Sequence, residues 1–166
     1  MEIKNRKTIR LKNYDYSQSG YYFVTVCVQN RQCCLGKIEN REMILNEFGR
    51  IVKKQWLWLK QQYASVDLDI FQIMPNHFHG ILVLVGNGRD HSLQAKIKPV
   101  PQLIGAFKTT SSKDIHLQGL PNFSWQKSFY DHIIRKDGSL DKIREYILNN
   151  PKQWEMDEDN PKNNPM

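Results

Sequence analysis

The stretch SVDLDIFQIMPNHFHGILVLV, residues 65–85, decides the fold. SVDLDIFQI and HFHGILVLV are both rich in β-branched and aromatic residues, which predicts two strands. The Met-Pro-Asn between them leaves room only for a short turn, in which Pro75 has no N–H to give to a ladder. Two strands joined so closely must form an antiparallel hairpin. Successive side chains on a strand point to opposite faces, so His77, His79, Ile81 and Val83 share one side and Phe78, Gly80, Leu82 and Leu84 the other. Gly80, lacking a side chain, invites close approach from that second side.

Upstream, GYYFVTVCVQNR alternates Val24, Val26 and Val28 with Phe23, Thr25 and Cys27 and predicts another strand. Residues 44–63 set Phe48, Ile51, Val52 and Leu59 at helical intervals among lysines and glutamines, the pattern of a long amphipathic helix. Residues 86–99 are polar and basic and read as a loop. A helix follows from about Pro101, with Leu103, Ile104 and Phe107 on its apolar face. WQKSFYDHIIR predicts a further strand, and DGSLDKIREYILNNP a last helix with Ser139 as its N-cap and Pro151 as its stop. Strand, helix, hairpin, helix, strand, helix describes an α+β fold, with helices packed on an antiparallel sheet in a ferredoxin-like plan.

With 166 residues, 40% of them hydrophobic, the chain suits one domain, expected over residues 1–154. The acidic EMDEDNPKNNPM that follows Trp154 reads as a solvated, poorly ordered tail over residues 155–166. No apolar run approaches the roughly 20 residues that span a bilayer, so a cytoplasmic protein without membrane partners is expected. Cys27, Cys33 and Cys34 form no C-x-x-C pair and read as reduced thiols. The net charge of +7 favours a polyanionic partner. Arg6, Lys7, Arg10 and Lys12 on an N-terminal arm, with Lys108 and Lys113 around FKTTSSK, are either phosphate contacts or an ordinary basic surface.

His77 and His79 stand about 6.6 Å apart along one strand face, a spacing one metal can bridge. The same spacing suits two polar residues at a sheet end, each bonded to a carbonyl. A third ligand and a nucleophile are needed for chemistry. Tyr146 and Asn150 lie one turn apart on the last helix, beside Ile143 and Ile147, which can dock that face on the sheet. Against this, a tyrosine on an apolar face also serves as core, and an asparagine before proline as a helix stop. Tyr130 and His132 are a rival pair, and Trp125 either stacks on a base or packs in the core.

MPNHFHGIL followed by WQKSFYDHIIRKDGSLDKIREYILNNP resembles the single-tyrosine HUH transposases, most closely the REP-associated tyrosine transposases, across residues 6–154. The resemblance implies a nuclease that cuts and rejoins single-stranded DNA near a hairpin through a 5′-phosphotyrosine. By position it implies Tyr146 as nucleophile, His77 and His79 as ligands of a magnesium or manganese ion, and Asn150 where relatives carry a glutamine ligand. It also implies action as a monomer or a homodimer.

Overall fold

The computed structural model describes residues 11–86, 97–135 and 137–164. The basic-arm residues Arg6, Lys7 and Arg10 and most of the expected 86–99 loop lie outside the described residues. Strand β1 spans Gly20–Cys27, and a short hairpin follows, β2 at Gly36–Glu39 and β3 at Glu42–Leu45. Helix α1 is Glu47–Gln62, β4 Val66–Ile73, β5 His77–Leu84, α2 Val100–Leu117, β6 Tyr130–Ile134 and α3 Asp137–Asn149, followed by a 3-10 turn at Pro151–Met156.

Four strands form one antiparallel sheet in the order β4-β5-β1-β6. That order, with α1 and α2 as the crossovers, is the ferredoxin-like arrangement expected from the hairpin. Helices cover both faces. Phe78, Leu82 and Leu84 join Trp56 and Leu59 of α1 and Leu103, Ile104 and Phe107 of α2 in the larger core. On the opposite face Ile81 and Phe23 meet Ile147, with Val83, Ile143 and Leu140 at the margin. The alternation read from residues 77–84 therefore divides the two cores. It also selects the α3 face for both imidazoles.

Gly80 lies beneath the Trp56 ring of α1. A Cβ there would stand 2.8 Å from the Trp56 ring and 2.7 Å from the Phe78 ring, closer than carbon atoms pack. Those two rings are buried with centroids 4.5 Å apart, so neither can yield cheaply.

Four features differ from the sequence expectation. The α1 helix begins at Glu47, because Asn46 is its N-cap, accepting from the Gly49 N–H at 2.9 Å, and residues 42–45 belong to β3. The β2–β3 hairpin turns at Asn40 and Arg41, both with positive φ (50° and 64°), a two-residue turn without the glycine that usually announces it. Ser139 falls inside the first turn of α3, since that helix already starts at Asp137. The strand expected across residues 125–135 is confined to Tyr130–Ile134, with Trp125 making an isolated bridge to Val28.

A β-bulge ties α3 down. Leu68 pairs with Leu82 but Phe71 pairs with Gly80, so β4 carries one extra residue at Asp69–Ile70. Ile70 packs in the α3-side core, and Asp69 accepts from Arg144 of α3 through both oxygens, Nε to Oδ1 at 2.9 Å and Nη2 to Oδ2 at 2.6 Å. The guanidinium holds the Asp69 carboxyl below the usual carboxylate range. Its stabilisation is therefore present at neutral pH and lost as pH falls through that lowered value.

Two outcomes follow. Gly80→Ala should destabilise the fold by about 1–3 kcal/mol in denaturant unfolding, because neither ring can move without strain. Asp69→Ala should cost about 1 kcal/mol. It should also speed amide hydrogen exchange selectively in α3, leaving β1 and β5 protected, and the difference from wild type should vanish in acid.

Candidate active site

A cavity of about 520 Å³ opens on the α3 side of the sheet, lined by Phe23, Thr25, His79, Tyr130, Tyr146 and Asn150, and by Gln153 and Met156 through Asp159. Strand β5 brings His79, β1 brings Thr25, and α3 brings Tyr146 and, just past its end, Asn150. The apolar contacts of Ile143 and Ile147 dock α3, so the adjacent Tyr146 falls against His79, with ring centroids 5.5 Å apart. Tyr146 is nearly half exposed, at 48%, open to a large substrate.

Each imidazole is oriented by a neighbour. Asn76 Oδ1 lies 2.8 Å from His77 Nδ1, which places the ring proton on Nδ1 and the lone pair on Nε2. Thr25 Oγ1 lies 2.8 Å from His79 Nδ1 and fixes that ring across the β1–β5 ladder. The rings are 4.7 Å apart at 75°. His77 is fully buried, behind His79, and Trp154 stands over it at 6.2 Å. A metal-ligating histidine fixed through its other nitrogen is the usual arrangement in metal sites.

Asn150 is 3% exposed, and its Oδ1 is buried without a hydrogen-bond partner. An orphaned amide oxygen costs about 1–3 kcal/mol unless something occupies it. A hard cation fits that donor, and two neutral imidazoles beside an amide oxygen are a chemically sensible set for one divalent ion.

Residues 155–164, expected to be a poorly ordered tail, fold back over the site. Asn160 is buried and donates to the Trp154 carbonyl at 2.9 Å, Asn76 Nδ2 donates to the Asp159 carbonyl at 2.7 Å, and Arg31 donates to the carbonyls of Glu158 and Asn164. Asp157 Oδ2 thereby comes within 3.9 Å of His77 Nε2, and Asp159 Oδ2 within 3.9 Å of His77 Nδ1. Burial raises the Asp157 carboxyl, against a lowering by its Asp159 N–H contact and by His77. Sequence reasoning missed these carboxylates and Gln153. The only signal was acidity, which a solvated tail explains equally well.

The other candidates scatter. Tyr130 shares the cavity rim, but His132 does not line it. Trp125 is core, packed on Phe107 and Phe123 with its indole N–H donated to Ser111. Lys108 Nζ donates to the carbonyls of Gln126 and Lys127, tying α2 to the segment before β6. Lys113 is exposed beside it on a second cavity of about 530 Å³ that shares no residue with the first. Lys12 is exposed.

No family model matches the chain. An uncharacterized protein of Haemophilus influenzae is 36% identical over 168 residues, which cover 94% of this chain and 93% of that protein. A second protein of that organism, provisionally named a REP-associated tyrosine transposase, is 25% identical over 85% of this chain and 76% of its own length. Among solved structures, a REP-associated tyrosine transposase bound to a REP hairpin superposes with a TM-score of 0.61 at 22% identity, over 87% of this chain and 73% of that one. A provisionally assigned transposase from Deinococcus radiodurans superposes with a TM-score of 0.50 at 17% identity, over 84% and 95% of the two chains. The chain belongs to one family with the 36%-identical Haemophilus influenzae protein, and in sequence and fold it is similar to the REP-associated tyrosine transposases.

Proposed function

We propose that this protein is a metal-dependent nuclease and strand transferase that cuts single-stranded DNA beside a hairpin and rejoins it through a tyrosine. The observation that carries the reading is the single cavity in which Tyr146 stands against His79 with the orphaned amide oxygen of Asn150 alongside. Similarity to a protein solved with a REP hairpin supports the DNA class, and the +7 charge supports a polyanionic ligand. Because His79 and Tyr146 of one chain line the same cavity, the reading needs no second copy.

His77, His79 and Asn150 would hold a magnesium or manganese ion, which when bound supplies positive charge to polarise a phosphate. Tyr146 supplies the nucleophile. Its phenolic oxygen bonds to phosphorus and its proton passes to solvent, while the phosphorus–O3′ bond breaks and O3′ takes a proton from solvent to leave a 3′-hydroxyl. The 5′ end stays esterified to Tyr146, conserving the phosphodiester for attack by another 3′-hydroxyl. Asn76 and Thr25 hold the two imidazoles in place, and Phe23, stacked on His79 with centroids 5.6 Å apart, limits ring rotation. Exposed Lys12 and Lys113, with Arg6, Lys7 and Arg10 of the N-terminal arm, are the proposed phosphate contacts, whereas Lys108 acts through the loop it anchors.

Incubating the protein with labelled hairpin-containing single strands and manganese should yield a denaturation-resistant adduct. Tyr146→Phe should lower its yield on the order of a thousandfold or more, and chelation should abolish it. Tyr130→Phe should leave it largely intact. An adduct that persists in Tyr146→Phe and is lost in Tyr130→Phe would move the nucleophile to β6. Tight binding with no adduct from any hairpin would leave a binding module of the same fold.

A further inference from the structure

The acidic segment after α3 lines the site through residues 156–159, and two of its carboxylates approach His77. Asp157 Oδ1 accepts the backbone N–H of Asp159 at 2.8 Å, which turns Oδ2 toward His77. The 3.9 Å from that oxygen to His77 Nε2 is too long for a hydrogen bond. It lies within the span of two donors on one cation, each about 2.0–2.2 Å from it. Asp159 approaches the other ring nitrogen, Nδ1, which Asn76 already engages. The two carboxylates are therefore not equivalent. Only Asp157 faces the nitrogen that carries the lone pair.

A second observation is independent of the acids. Asn150 Oδ1, buried and without a hydrogen-bond partner, lines the same cavity as Asp157. Three acidic residues in sequence, Asp157, Glu158 and Asp159, also repel one another at close range, and a cation between His77 and Asp157 offsets that repulsion. The segment is held independently by Arg31 and Asn76 through backbone carbonyls, so Asp157 is positioned before any ion arrives.

We propose that Asp157 is a further ligand of the divalent cation held by His77, His79 and Asn150, so that cation binding also fastens the segment after the tyrosine helix. This rests on the metal reading of the site given above. It adds an anionic donor to a neutral set, which raises affinity for a hard cation such as manganese or magnesium.

The test is calorimetric titration of Mn²⁺ without DNA into the wild type, Asp157→Asn, Asp159→Asn and His77→Ala. Asparagine keeps an oxygen for the Asp159 N–H, so Asp157→Asn preserves the turn. Asp157→Asn should weaken Mn²⁺ binding at least about tenfold and Asp159→Asn by less than about twofold. In parallel, Mn²⁺ should slow tryptic cleavage after Lys162 in the wild type and not in Asp157→Asn. Unchanged Mn²⁺ affinity in Asp157→Asn, with loss in His77→Ala, overturns the assignment and leaves the histidine site standing. Absence of Mn²⁺ binding in the wild type overturns both. Equal weakening by the two aspartate variants also overturns it, since that marks general electrostatics rather than one ligand.

Discussion

Everything in this molecule depends on β5 being an interior strand packed on both faces. It pairs with β4 on one edge and β1 on the other, and seven of its eight residues are buried. Phe78, Leu82 and Leu84 supply one core, and Ile81 supplies the other. A shift of one residue in register would turn both imidazoles into the α1–α2 core and the Phe78 ring toward α3. The apolar packing that stabilises the fold and the aim of the two histidines are thus the same constraint.

Around that strand the site is assembled from segments far apart in the chain. Asn76, at the turn before β5, ties two of them to that strand. Its Oδ1 orients His77, and its Nδ2 donates to the carbonyls of Arg31 and Asp159. Thr25 reaches His79 across the β1–β5 ladder, where the two residues are register partners. α3 is held by apolar packing through Ile147 and by the Arg144–Asp69 pair at the β4 bulge. Tyr146 is therefore placed by two forces of different character, one non-directional and one directional, which together define both the depth and the rotation of the helix.

Much of the fold was legible because its determinants are local. The period-two runs at residues 20–27 and 77–84, the Pro75 turn and the 3.6-residue spacing of Ile143 and Ile147 are each written in consecutive residues. The β2–β3 hairpin was not legible, because Asn40 and Arg41 adopt positive φ without glycine, and its short strands expose half their residues. The α1 start was obscured for a related reason: Ile44 and Leu45 continue the apolar pattern backward, and only the Asn46 side chain, bonded to Gly49, ends the strand and begins the helix. Of the basic residues read as phosphate contacts, Lys108 is set apart from exposed Lys113 by the two backbone carbonyls, from a segment eighteen and nineteen residues on, that it engages.

By itself the sequence determined the sheet, its hairpin, the faces of its strands and the pairing of Tyr146 with Asn150, since periodicity and helical spacing are properties of neighbouring residues. The tertiary structure decided the rest. It brought α3 over the histidine face, left Asn150 Oδ1 buried beside them, and folded an acidic tail so that Asp157 faces His77. The physical reason is that these outcomes depend on long-range closure. Arg31 and Asn76 capture backbone carbonyls more than eighty residues away, and carbonyls carry no side-chain identity for a sequence pattern to reveal.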